Sequence, residues 1–504
     1  KIAHHFGRSI FLNMANRMQN LLYKRAYLTP KRPAVIFENT VLTFEELYDQ
    51  ALQLGRKLAA IGIKKSDRIA VLMNNHLNMV ILLNSLQLLG CEIVLLNTRL
   101  HTRELLYQIN HSKVKLFITS QEFRETARYI RECLDLRMYI YEDLLDLEEK
   151  EFDPVLEIDM DDPCTIMYTS GTTGFPKGVI QTYGNHWWSA IGSVLNLGLT
   201  EKDRWLCTVP LFHISGFSIL MRGLVYGMPV VLLEKFDEEK VNQILMDGKA
   251  TIISVVTNML RRMVDALGNK YYHPEFRCAL LGGGPVPLAL LETCKEKNIP
   301  VFQSYGMTET ASQIVTLSPE DSLRKLGSVG KPLFPSQIKI MKEGREAEPN
   351  EVGEIIVKGP NVTKGYLYDD EENKKNFTRD GWFFTGDLGY LDEEGFLYVI
   401  DRRSDLIISG GENIYPAEVE NILLSHPAIE DAGVVGIADE RWGEVPCAFY
   451  VVKKGKTVSS EELAAYCNNH IAKYKIPKRW YEVDRLPRNA ANKLVRWKLR
   501  EMIN

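Results

Sequence analysis

The sequence predicts an α/β protein in which a large domain, built from two helix-covered, mainly parallel sheets plus a β-rich subdomain, is followed by a small α+β domain. Three observations predict it: strand-length apolar runs alternate with helix-length segments up to about Gln313, the texture changes from about Gly327 to short strands with Gly and Asp turns, and a compact mixed region follows Asp401. The boundary falls near residues 401–405, giving a large domain over 14–403 and a small one over 404–504.

Taken in order, Thr43 and Glu46 form a capping-box pattern, after which Leu47, Ala51, Leu54, Leu58 and Ile61 recur at helical spacing before a stop at Gly62. A strand at Ile69 to Met73, a helix at Met79 to Leu89, a strand at Ile93 to Leu96 and another at Val114 to Thr119 follow with βαβ spacing. The second alternating region, from Asp162 to about Gln313, offers strands at Thr165 to Tyr168, Val230 to Leu233, Thr251 to Val255, Cys278 to Leu281 and Val301 to Ser304, which we read as a second doubly wound sheet. Gln337 to Met341, Gly353 to Val357 and Phe396 to Ile400 make the β-rich part. The small domain reads as a helix near Ala417 to Leu424, strands near Ala432 to Val435 and Ala448 to Val452, and a helix near Glu461 to Ala472.

Composition bounds the partners. The chain has 504 residues, about three folding units at roughly 150 residues each. Its 61 Lys and Arg against 65 Asp and Glu give a net charge of −4, which argues against nucleic acid as the main partner. Eight cysteines without a C-x-x-C pair argue against zinc knuckles and disulfides and fit reduced thiols in the cytoplasm. No run is long and apolar enough to span a bilayer, so membrane insertion is not expected, and a homo-oligomer is compatible with the sequence. Residues Lys1 to Asn13 lack a signal-peptide core; we read Met14 as the natural start.

The chemistry concentrates at strand ends. Tyr168 to Gly178, reading YTSGTTGFPKG, follows an apolar strand and brings hydroxyls, glycine N–H groups and a lysine together, a cradle for phosphate oxygens. It is not a Walker A loop, because Pro176 stands where that motif has its second glycine. Gly282 to Pro285 ends one strand and Gln303 to Glu309, QSYGMTE, ends the next, where open α/β sheets bind ligands. Tight glycine turns admit a flat base, Tyr305 is placed to stack on it, and Glu309 to hold Mg²⁺ bridging phosphates. Taken singly, the glycine run reads as a turn and Glu309 as a solvated carboxylate; together the patterns point to a nucleotide.

YTSGTTGFPKG, QSYGMTET, FFTGDLGY, DRRSDLIISGGENIYPAEVE and the C-terminal NKL resemble, in order, the core motifs of the adenylate-forming acyl-CoA synthetase superfamily. The resemblance implies a ligase that uses ATP, Mg²⁺ and coenzyme A: a carboxylate attacks the α-phosphate, pyrophosphate leaves, and the thiol of coenzyme A then displaces AMP. It places Thr169, Ser170, Gly171, Thr172, Thr173, Gly174 and Lys177 in the phosphate loop, Gly283, Gly284, Gln303, Tyr305, Gly306 and Met307 on the adenine and acyl walls, Thr308 and Glu309 at phosphate and metal, and Asp387 and Arg402 at the ribose. Lys493 would be the catalytic lysine, with Thr169, His213 and Glu309 as its catalytic companions. A mobile small domain would bring Lys493 in one pose and the Gly410-Gly411 loop in the other, where a Cβ at Gly411 would narrow the pantetheine tunnel. The hinge position, Asp or Lys in many relatives, is Ser404.

PLFHISG, LLGGGP, QSYGMTETASQIVTLSP and LPRNAANK narrow the resemblance to members acting on a dianionic aromatic acid. His213 would gate the carboxylate pocket and Ser304 line it. Arg222 is the cation we expect at the second carboxylate, with Arg99 as the other candidate and a salt-bridged surface arginine as the plain alternative. Another aryl- or acyl-CoA synthetase, or a non-catalytic ATP-sensing module, are the alternative functions.

Overall fold

The computed structural model describes residues 16–169, 176–282, 286–401, 406–487, 494 and 496–503. The expected N-terminal helix runs over Phe44–Ala60; Thr43 and Glu46 complete the capping box, and Leu47, Ala51, Leu54 and Leu58 are buried along one stripe. The Leu77–Leu88 helix differs in kind, with ten of its twelve residues buried on all sides, which is why its sequence shows no polar face. Among the described residues no helix is long and apolar enough to cross a membrane.

The first sheet has six strands in the order Lys177–Thr182, Pro163–Thr169, Glu92–Leu95, Arg68–Leu72, Leu116–Thr119 and Arg137–Ile140. All neighbours are parallel except the hairpin formed by the first two. The Thr165 to Tyr168 run therefore belongs to this sheet, not to the second one assigned from sequence. A local apolar pattern marks a strand but not its neighbour, and here Ile93, Val94 and Leu95 pair with Thr165, Ile166 and Met167 across some seventy residues of chain.

The second sheet has fourteen strands. Its parallel part runs from Val301–Met307 through Cys278–Gly282, Ile252–Val256, Trp205–Cys207 and Val230–Leu232 to Pro33–Phe37, with Thr40–Thr43 turning back at the edge. Its other half is antiparallel and contains the β-rich strands Gln337–Lys342, Gly353–Lys358, Phe383–Leu391 and Leu397–Asp401, joined through Ser312–Leu317 and Ser328–Pro332. The β-rich part thus continues the second sheet through unbroken strand pairing.

The small domain folds on its own core, with Ile407, Val419, Leu423, Val434, Leu463 and Cys467 among its buried residues. Five strands carry the Pro416–Leu424 and Ser460–Asn468 helices; the second helix ends four residues before the expected Ala472, and the chain continues into a 3₁₀ turn over Lys473–Lys475. The eight cysteines are unpaired.

Candidate active site

A cavity of about 300 Å³ opens at the carboxyl ends of strands from both sheets, marked by Leu95, Thr169, Val256, Gly282 and Met307, and the small domain closes it with Gly411, Glu412, Tyr415 and Tyr474. Of the residues expected from sequence, it gathers Thr169, His213, Arg222, Ser304, Tyr305, Gly306, Met307, Thr308, Glu309, Asp387 and Gly411. Ser170, Gly171, Thr172, Thr173, Gly174, Gly283, Gly284, Arg402, the hinge residue Ser404 and Lys493 lie outside the described residues.

The Val301–Met307 strand supplies one wall. Tyr305 is buried, and its hydroxyl donates to Asp387 Oδ2 at 2.6 Å, so the ring and the carboxylate are set as one unit. At Gly306 the pairing with Ser312–Leu317 shifts register, and a Cβ would meet the Ser312 carbonyl oxygen at 2.2 Å; glycine is required by the neighbouring backbone. Ser304 Oγ donates to the Leu281 carbonyl at 3.0 Å, tying this strand to the next. Glu309, 5% exposed, accepts a hydrogen bond from the Tyr366 hydroxyl on Oε1 at 2.9 Å, and its other oxygen has no hydrogen bond among the described residues.

Three expected residues behave differently. Gln303 is buried outside the cavity lining, with Nε2 lacking a partner among the described residues, because the strand's alternation turns it away from Ser304. Lys177 is also off the lining: its Nζ donates to Glu372 Oε2 at 2.6 Å and lies over the Tyr366 ring. Gly410 is off the lining as well, and a Cβ there would lie 2.7 Å from the Trp442 ring; Gly411 does line the cavity, where a Cβ would approach Val256 at 3.8 Å and φ is +86°.

Arg222 is the least ordinary group in the cavity. It sits in the Ile214–Tyr226 helix at 1% exposure, one N–H donates to Ser312 Oγ at 3.2 Å, and its guanidinium stacks over Trp205, yet Nε has no partner and no carboxylate pairs with it among the described residues. Burial lowers its pKa, and no neighbouring carboxylate opposes that. The salt-bridged surface arginine is thereby excluded. Arg99, the other candidate for the substrate carboxylate, is committed elsewhere, donating to Glu412 Oε1 at 2.7 Å.

Glu412 is the residue sequence reasoning undervalued. It crosses from the small domain, is 4% exposed, and meets His213 Nε2 at 3.2 Å, Arg99 at 2.7 Å and Asn97 Nδ2 at 3.0 Å. Burial by itself would raise its pKa, but His213, Arg99 and Asn97 together hold it down to about 2. Its only sequence signal was an acidic residue directly after the glycine pair, facing a His and an Arg that lie 199 and 313 residues away.

The chain resembles known enzymes over nearly its whole length. The family model for AMP-binding enzymes matches residues 22–367, and that for the AMP-binding enzyme C-terminal domain matches 418–493. The 2-succinylbenzoate–CoA ligase of Geobacillus sp. strain WCH70 is 53% identical over 490 residues, covering 97% of this chain and 98% of its own. The o-succinylbenzoate CoA synthetase of Bacillus subtilis is 50% identical; a double mutant of it, bound with its product analogue OSB-NCoA, superposes with a TM-score of 0.92 over 96% of this chain and 98% of that one. The same enzyme scores 0.75 in complex with the acyl-adenylate intermediate, covering 96% and 98%, and 0.75 in complex with ATP and magnesium ion, covering 96% and 100%. The chain belongs to the AMP-binding enzyme family and, within it, to the family of the 2-succinylbenzoate–CoA ligases.

Proposed function

We infer that this chain ligates o-succinylbenzoate to coenzyme A at the expense of ATP, through an acyl-adenylate, giving o-succinylbenzoyl-CoA, AMP and pyrophosphate. This is the reaction of menaquinone (vitamin K2) biosynthesis to which the narrower sequence resemblance points. The observation that carries the acid's identity is Arg222: a buried guanidinium with no carboxylate among the described residues, at the wall of the cavity, is stabilised by an anion brought by the substrate. A diacid has one carboxylate to activate and one to leave there.

Attack of a carboxylate on a phosphate is anion upon anion, so cations must offset the repulsion. Mg²⁺, when bound, supplies part of that charge. The residues present fit it: Glu309 offers one oxygen free of hydrogen bonds toward the cavity, beside Thr308, and among the described residues no cluster of three ligating side chains exists, as suits an ion held mainly by phosphate oxygens. We assign the remaining charge to Lys493, the phosphates to the Thr169–Lys177 loop, and the ribose to Asp387. The 0.92 score against the product-analogue complex, and 0.75 against the two adenylation-stage complexes, support reading the present arrangement as the thioester-forming pose. We place the enzyme in the cytoplasm.

The test is pyrophosphate release with a panel of acids. o-Succinylbenzoate should exceed benzoate and medium-chain fatty acids, and the preference should collapse in Arg222→Leu; a fatty acid as the best substrate overturns the assignment.

A further inference from the structure

Where the small domain docks, one ammonium and two carboxylates are buried together. Lys475 Nζ, from the Lys473–Lys475 turn, donates to Glu104 Oε1 at 2.5 Å and to Glu418 Oε1 at 2.7 Å. Glu104 belongs to the large domain, in the Thr102–Ser112 helix, and also accepts from the Ala472 N–H across the seam at 2.8 Å; Glu418 belongs to the Pro416–Leu424 helix of the small domain. All three side chains are at most 8% exposed, and Glu418 Oε2 has no hydrogen-bond partner among the described residues. The cluster carries one negative charge too many for a buried site, and the unpartnered oxygen is where a proton would sit.

The neighbours do not correct the imbalance. Lys475 is faced by Glu418, Tyr474 and Glu104; Tyr474 in turn senses Glu412, Glu104 and Glu418. On the large-domain side, His101 caps the helix through Glu104 and is flanked by Arg103 and His470. The other carboxylate of the small-domain helix, Glu420, is bound by Arg496 at 2.7 Å.

We propose that Glu104, Glu418 and Lys475 form a proton-coupled latch, in which Glu418 takes up one proton as the small domain docks and so positions it for thioester formation. The inference rests on the two-half-reaction reading above. Burial raises the Glu418 pKa, Lys475 opposes this, and the facing Glu104 carboxyl raises it again, to about 7. In the undocked domain Glu104 is withdrawn and Glu418 returns toward the ordinary carboxylate range. The group is thus raised in the docked state, so its contribution to docking is fully present below the ordinary carboxylate value and lost as pH rises through about 7. At neutrality little of this contribution remains, which suits a domain that must leave again for the next adenylation.

Glu418→Gln tests this, because an amide nitrogen in place of Oε2 mimics the protonated acid and presents an N–H to Glu104. Thioester formation from supplied acyl-adenylate is followed in single turnover from pH 5 to pH 8, as the ratio of variant to wild type, so that ionisation of the coenzyme A thiol cancels. The ratio should climb with pH, by about tenfold or more over the range, one proton giving at most about tenfold per pH unit. Glu104→Gln, which leaves one carboxylate for one ammonium, should also flatten the profile. Ratios that stay constant with pH in both variants overturn the latch. Failure of the underlying reading is distinguishable, since it would appear as no o-succinylbenzoate-dependent pyrophosphate release by the wild type.

Discussion

Arg222 and Lys475 are both buried cations, yet among the described residues one has no carboxylate and the other has two. Arg222 stands in the large domain, where no described carboxylate neutralises it; its hydrogen bond to Ser312, the Trp205 ring and Tyr226 offset part of its desolvation. Lys475 stands on a seam between two domains, where each side contributes a carboxylate and the excess has to be removed by a proton. An undercharged site waits for a ligand, and an overcharged one responds to pH. The same cost of burial yields specificity in the first case and control of motion in the second.

The largest effect should come from the third cation in this scheme, Lys493. Lys493→Ala should slow adenylate formation by about a hundredfold to a thousandfold, the range for removing one transition-state charge contact, and leave thioester formation from supplied acyl-adenylate nearly intact. Equal loss in both half-reactions would dissolve the division of labour between the two poses.

Arg222→Leu comes next. The KM for o-succinylbenzoate should rise about a hundredfold, in line with losing a desolvated charge pair, with the KM for ATP unchanged. Because the folded protein gives Arg222 no carboxylate, the ligand-free variant should melt no lower than wild type. Lys475→Met should melt lower, since it leaves two carboxylates facing each other. Melting curves of both variants without ligand check the contrast directly, and a large loss of stability in Arg222→Leu would mean that its role is structural.

Much of this was legible beforehand because strand ends, glycine turns and motif order are local. The capping box at Thr43, the helix that follows and the strands leading to Thr169, Gly282 and Met307 follow from short patterns, and the family resemblance, itself carried by short motifs, supplied most of the eleven site residues gathered at the cavity. What escaped was pairing across distance. The Thr165 to Tyr168 run gave no hint that it lies beside Glu92–Leu95, and the strand Pro33–Phe37 none that it closes the second sheet beside Val230–Leu232. Arg222 was preferred to Arg99 in sequence without a contact to decide between them; the fold sends Arg99 to Glu412 and leaves Arg222 with no carboxylate among the described residues. Charge type is written locally, whereas charge balance is a property of the packed site.

The seam has a further carboxylate, outside the Lys475 cluster, that sharpens the comparison from the opposite side. Glu412 is held down to about 2, so its contribution to docking is present above the ordinary carboxylate value and lost as pH falls through about 2. Glu418 acts in the other direction, and the docked pose should be most populated between the two, in mildly acidic solution. Glu412→Gln should slow thioester formation about tenfold relative to adenylation, the scale of a charge-assisted hydrogen bond, and remove the decline on the acid side. A variant that keeps the wild-type acid limb would assign that limb to another group.

The smallest effect concerns Lys177, whose ammonium is paired with Glu372 in the present pose. The pair holds the Glu372 carboxyl below its usual range against the rise that burial alone would cause, so the lysine is stabilised away from the phosphates that the sequence assigns to it. Triphosphate must then compete with Glu372 for Lys177, and Glu372→Gln should remove the competitor. The KM for ATP should fall about two- to fivefold, the scale of a partly exposed ion pair, with the KM for o-succinylbenzoate unchanged. Against Arg222 the logic is inverted: there an absent carboxylate makes room for substrate, while here a resident one has to be displaced by it. A rise in the KM for ATP would show instead that Glu372 delivers Lys177 to the phosphates, and the pair would count as part of the nucleotide site.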